Sequence, residues 1–209
     1  MNSTNDNTSL FDLIFNIALG LCLMFMVSVI VMRIENQKSN IKTKAEFTII
    51  LTWQDGINHD VDLWVRDPQK NVISFKSKEN GITHLDRDDL GMTKDYFIKD
   101  GRTIYVMTNQ EIATIRGFMA GEWVISSHFY RVSESEEHVA RCRVQITKLN
   151  PTATIILDKP FVLDRRWQEK TLARLMMSQS GNIMEVDENI SIPLVETYVE
   201  NAVSLGDEY

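Results

Sequence analysis

The chain has 209 residues, 44% hydrophobic and 24% charged, with Lys+Arg 22 against Asp+Glu 29 and a formal net charge of -7. That acidic balance argues against nucleic-acid binding, which calls for a basic face. The length fits one ordinary domain with or without an appendage, and the mean hydropathy of -0.17 conceals one strongly apolar segment in a polar chain.

Residues 1–9 form a short N-terminal flank without Lys or Arg. From Leu13 to Met32, between Asp12 and Arg33, no residue carries a formal charge. At 1.5 Å per residue this run makes about 30 Å of helix, the thickness of a bilayer's hydrocarbon core. Its Leu, Ile, Phe and Val residues together favour insertion by about 4 to 7 kcal/mol, more than the roughly 2.5 to 3.5 kcal/mol that Asp12 would cost at the helix centre. The flank lacks the basic start of a signal peptide, and the run ends in Met32-Arg33-Ile34-Glu35, not at a small-residue cleavage site. The expectation is therefore an uncleaved transmembrane helix over 10–34.

Projected at 100° per residue, Ser9, Asp12, Asn16 and Gly20 fall within an arc of about 80°. Lipid offers these groups no partner, so the stripe should face protein or a water-filled path. On position alone Asp12 also fits a helix-flanking residue, solvated among headgroups and favourable to the helix dipole.

Phe11-Asp12-Leu13-Ile14-Phe15-Asn16, followed by an apolar helix with Met24-Phe25-Met26, resembles the transmembrane helix of ion-driven stator B subunits, the group of MotB, ExbD and TolR. The resemblance implies a homodimer whose two helices sit inside a ring of five polytopic A subunits of MotA or ExbB type. It implies an inner-membrane location, with the N-terminus cytoplasmic, the C-terminal domain periplasmic, and rotation delivered to an envelope target. Asp12 maps onto the ion-carrying position, with Ser9, Asn16 and Gly20 as support for the ion path. H⁺ is the expected ion and Na⁺ the alternative. A carboxylate in a low-dielectric site suits this task, because it can alternate between neutral and charged forms. Two features depart from the pattern. Arg33, Lys38, Lys42 and Lys44 follow the helix while its N-terminal side has no basic residue, the reverse of the positive-inside rule for this orientation. The peptidoglycan-binding domain typical of flagellar stators is also missing.

Residues 35–46 (ENQKSNIKTKAE) read as a polar linker. Beyond it the period becomes two, and strands are expected at 47–53, 61–66, 72–76, 103–107, 111–116, 122–131, 139–149, 154–157, 161–163, 171–178 and 183–186. Arg141-Cys142-Arg143-Val144-Gln145-Ile146-Thr147 alternates cleanly, and Trp123, Ile125 and Phe129 share one face. The expected fold is thus a single transmembrane α-helix followed by an all-β antiparallel sandwich over 47–195. Leu51-Thr52-Trp53, Asp60-Val61-Asp62-Leu63-Trp64-Val65, Asp67-Pro68 and Leu85-Asp86-Arg87-Asp88 resemble the opening of YfaP-like β-sandwich domains of bacterial envelope proteins. Residues 196–209 form a tail with Glu196, Glu200, Asp207 and Glu208 and no Lys or Arg.

Asp55, Asp60, Asp62, Asp86, Asp88 and Asp89 occupy two loop-rich stretches that a sandwich could gather at one end, and hard oxygen ligands from separate loops suit Ca²⁺. Asp is equally the ordinary residue of turns, and EF-hand spacing is lacking. His59, His84, His128 and His138 show no zinc spacing; Cys22 and Cys142 cannot form a C-x-x-C site. No nucleophile triad or phosphate loop is recognisable, so a non-enzymatic role is expected, with no required cofactor. Two roles remain: the B subunit of a 5:2 ion-driven rotary motor, or a membrane-tethered β-sandwich that binds a ligand or partner without energy transduction.

Overall fold

The structure, a computed structural model, describes residues 4–38, 44–91, 96–133 and 137–196. The chain divides into two units, residues 1–41 and 42–209.

The first unit holds α1 (Thr4–Lys38). Its stretch Leu10–Ile30, 21 residues of mean hydropathy 2.6, is long and apolar enough to cross a membrane. Without water to bond the backbone, helix is the conformation that satisfies every amide of such a run internally. The helix begins inside the expected flank 1–9 and carries on through the first four residues of the expected linker 35–46, ending at Lys38. Residues 39–43 of that linker and 197–209 of the expected tail lie outside the described residues.

The second unit is all-β and antiparallel, as expected. One sheet runs in the order β11 (Thr154–Leu163), β10 (Ala140–Lys148), β1 (Phe47–Trp53), β8 (Asn109–Ile115), β5 (Thr83–Arg87), β4 (Glu79–Asn80). The other runs β13 (Ile183–Asp187), β12 (Glu169–Met177), β9 (Gly121–Arg131), β2 (Asp60–Arg66), β3 (Val72–Ile73). A two-stranded ribbon, β6 (Tyr96–Lys99) and β7 (Arg102–Tyr105), stands apart from both.

Alternation builds the core. In β1, Phe47, Ile49, Leu51 and Trp53 are buried while the residues between them are half-buried. Pairing sets Ile49 beside Ile146 of β10 and Ala113 of β8, so apolar side chains line up across three strands. From the opposite sheet Val61, Leu63, Val65, Trp123, Ile125 and Phe129 meet them in one cluster. The outer face of the second sheet is covered too. Leu194 packs there on Trp64 and Val124. Thr171 Oγ1 accepts from Ile192 N–H at 2.9 Å and donates to Ile192 O at 3.0 Å, and Glu169 accepts from Leu194 and Val195 N–H at 2.7 and 3.2 Å.

Five strands differ from expectation. Residues 154–163 form one strand, not two, although Pro160 lies within it. β11 is a sheet edge, where the missing proline N–H removes no ladder bond. β3 is shorter than 72–76. β4 and β5, and β6 with its Asp100-Gly101 turn, were not expected. Asp100 (φ 51°) and Gly101 (φ 72°) both take the positive φ of a tight two-residue hairpin.

Candidate functional site

On α1, Asp12, Asn16 and Gly20 are all exposed. Ser9 is helical, but its side chain lies outside the described residues. Asp12 is the third residue of the window Leu10–Ile30, so the carboxylate stands within the apolar stretch near its N-terminal end.

In the β domain the sequence pattern brings acids together by a different route. In β2, pairing with β9 sets Asp62 opposite His128, and His128 Nδ1 lies 3.3 Å from Asp62 Oδ2. β3 pairs β2 only at Val65 and Arg66. Upstream of that point Leu63 N–H donates to Glu111 Oε2 at 2.5 Å, a side-chain acceptor standing where a neighbouring strand's carbonyl would be. Glu111 occupies the inward phase of β8, between Asn109 and Ala113, and is fully buried. Asp88 follows β5 and closes the group. One ligand atom each from Asp62, Asp88 and Glu111 lies within 4.8 Å of the other two.

Each carboxylate around this point has one oxygen engaged and, in three cases, one buried oxygen left over. Asp88 Oδ2 takes Lys78 Nζ at 2.8 Å, Asp60 Oδ2 lies 3.8 Å from Arg131 Nε, and Glu111 Oε2 takes Leu63 N–H. Among the described residues no donor reaches Asp88 Oδ1, Asp60 Oδ1 or Glu111 Oε1. The electrostatics follow. Burial, then the charges of Asp62, Asp88 and Asp89, push Asp60 up to about 7 against the opposing pull of Arg131. Burial also raises Asp62, opposed by its hydrogen bond to His128. Glu111 lies well above the carboxylate range, through burial and then the charge of Asp62. The cluster is short of positive charge, and either protons or a cation would relieve it.

The sequence-predicted calcium set is therefore partly assembled. Asp62 and Asp88 converge with Glu111, and Asp60 is coupled to them by charge. Asp86 does not: it is exposed, and it bonds Thr114 Oγ1 and Arg116 Nη2, each at 2.5 Å. Asp89 is buried and accepts from Arg87 and Gln110 N–H at 2.8 and 2.9 Å, outside the converging trio. Asp55 is exposed in a turn. Glu111 was missed. Its signal was a lone acid on the inward phase of an alternating strand. The histidines do not converge on a metal: His59, for example, is buried, with Nε2 2.9 Å from Glu137 O and Nδ1 accepting from Ser133 N–H at 3.2 Å. Both cysteines are free thiols, and burial pushes Cys142 up to about 12.

A cavity of about 300 Å³ opens beside His128, walled by Trp64, Phe75, Lys76, Tyr130 and Trp167. Tyr130 and Trp167 meet edge-to-face at 5.1 Å, and Trp167 holds φ at 67°, a left-handed conformation costly for a bulky residue. His128 thus touches both sites, lining the cavity and bonding Asp62. No protein-family model, curated protein or solved structure matches this chain.

Proposed function

We propose that this chain is the B-type subunit of an ion-driven rotary motor of the bacterial inner membrane. In this reading two copies place their α1 helices inside a ring of five polytopic A subunits. Asp12 alternates between protonated and charged forms as it meets protein and water, with H⁺ as the carried ion and Na⁺ as the alternative. Each charge crossing the membrane releases about 2.3 kcal/mol per 100 mV, and the β domain passes the resulting rotation to an envelope target.

One observation carries the reading. Asp12 lies within an apolar stretch, Leu10–Ile30, long enough to cross a membrane. A carboxylate so placed needs a partner that lipid does not supply, and Asn16 and Gly20 sit on the same arc. The basic residues that follow the apolar stretch oppose a periplasmic β domain, but domains of this size translocate largely regardless of flanking charge. Labelling of a cysteine placed in the linker, from one side of the membrane, tests that orientation. Asp12→Asn tests the mechanism. Loss of activity with unchanged expression, partner co-purification and β-domain folding supports the motor, while full activity refutes it.

A second reading, a membrane-tethered binding module without energy transduction, draws on the aromatic cavity beside His128. It expects Asp12→Asn to be silent and the chain to be recovered from mild detergent without a polytopic partner.

A further inference from the structure

We propose that the β domain holds one Ca²⁺ ion between its two sheets, ligated by Asp62 of β2, Asp88 after β5 and Glu111 of β8, with Asp60 as a fourth carboxylate beside them. The proposal is independent of the role of Asp12 and of the motor reading.

Geometry is the first argument. The three ligand atoms lie within 4.8 Å of one another. Two oxygens on opposite sides of a Ca²⁺ ion stand about 4.6 to 5.2 Å apart, twice the 2.3–2.6 Å bond. A cage of protein carboxylates suits Ca²⁺, whereas Mg²⁺ usually keeps several of its waters.

Unmet valence is the second. Glu111 is 0% exposed, yet among the described residues no donor reaches its Oε1. Asp60 Oδ1 and Asp88 Oδ1 are in the same position. Native interiors leave few such oxygens, and three from one charge-coupled group call for a shared positive centre. The existing donors do not supply it. Lys78 and Leu63 N–H bond the other oxygens of Asp88 and Glu111, and Arg131 stands 3.8 Å from the other oxygen of Asp60.

A path inward is the third. Asp88 retains 13% of its side-chain exposure and is met there by Lys78, itself 56% exposed, so an ion reaches the buried pair past a mobile-length side chain. Once bound, the ion would join β2 to β5 and β8, elements of opposite sheets, and fix Asp62 against His128 on the wall of the aromatic cavity.

The test uses the full chain in mild detergent. Titration calorimetry with CaCl₂ should show one saturable site per chain, and the unfolding midpoint should fall by several degrees when EDTA replaces millimolar Ca²⁺. Glu111→Gln keeps the Leu63 acceptor and should weaken Ca²⁺ binding at least tenfold. Asp88→Asn, at the partly exposed rim, repeats the test where folding is least at risk, and Asp86→Asn should bind like the native chain. Absence of saturable Ca²⁺ binding at millimolar concentration, with an unfolding midpoint indifferent to EDTA, overturns the site. Native affinity in both Glu111→Gln and Asp88→Asn overturns the ligand set, and tighter binding of Mg²⁺ than Ca²⁺ overturns the choice of ion.

Discussion

The burial of Asp60 makes a quantitative claim about pH. Its carboxyl is moved from the ordinary 3.8 to about 7 in the folded domain, chiefly by burial. The folded state therefore holds this proton more tightly than the unfolded chain does. The stabilisation is complete below pH 3.8 and drains away as pH rises to about 7. Across that window it amounts to about 4 kcal/mol, taking about 1.4 kcal/mol for each tenfold change in proton affinity. Asp60→Asn keeps the shape and removes the titration. In EDTA, urea unfolding of the full chain followed by tryptophan fluorescence should show the variant gaining on the native protein as pH rises from 4 to 8. The gain should approach about 4 kcal/mol at the upper end. Asp62 and Glu111 titrate in both proteins, so their shared contribution cancels to first order, and what remains of their coupling to Asp60 adds in the same direction. Parallel pH profiles for the two proteins would refute the argument that Asp60 is buried without adequate compensation.

Leu194→Ala should cost about 2 to 5 kcal/mol, because Leu194 is 0% exposed over Trp64 and Val124, and denaturant midpoints would measure it. Gly91→Ala should cost about 2 to 4 kcal/mol by the same assay. Gly91 sits at φ 69°, and a Cβ there would run into the backbone carbonyl of His59. By contrast, replacing both Arg143 and Asp158 with Ala should leave the denaturant midpoint nearly unchanged despite their two hydrogen bonds at 2.5 and 2.7 Å, since Arg143 is 62% exposed. Cys142 should stay silent to maleimide in the native protein and react on unfolding, because its buried thiol is pushed up to about 12; mass spectrometry of the labelled chain would read this directly.

What could be read from the sequence depended on whether one face of a strand met the core. β1 and β10 alternate apolar and polar residues along their whole length and were placed to within a residue or two. β5 was hidden. Only Thr83 and Leu85 turn fully inward, and a register shift between Leu85 and Arg87 breaks the period just where the acids begin. That irregularity also explains the error over Asp86, which points outward to Arg116 while Asp88 reaches the cluster. β6 carries no usable period because all four of its residues are exposed; the Asp100-Gly101 turn was the better sign. Loops, where Asp is common, are the usual source of Ca²⁺ ligands, and Glu111 lies on a strand instead. An acid in phase with Ala113 and Ile115 is much rarer, and it carries correspondingly more information.

The two acidic sites need opposite environments, and their surroundings differ accordingly. An ion-carrying residue must release what it binds, so its partners have to change during the cycle and cannot all come from its own fold. In the proposed motor Asp12 meets that condition, because it stands in an apolar stretch long enough to cross a membrane and takes its changing partners from the A subunits. A structural cation must not be released, so its ligands should come from several elements already fixed by packing. Asp62 and Glu111 are held in the second and first sheets, and Glu111 is further pinned by the N–H of Leu63. Exchanging the roles would defeat both. A cluster closed like that of Asp62, Asp88 and Glu111 would retain its ion too long for a turnover cycle, and an exposed single carboxylate could not bind Ca²⁺ with useful affinity. Asp12→Asn should therefore leave the domain's response to Ca²⁺ and EDTA intact. Glu111→Gln should move that response to at least tenfold higher Ca²⁺ whether or not the membrane helix has a partner. If either substitution changed both readouts, this division of labour between helix and sandwich would be wrong.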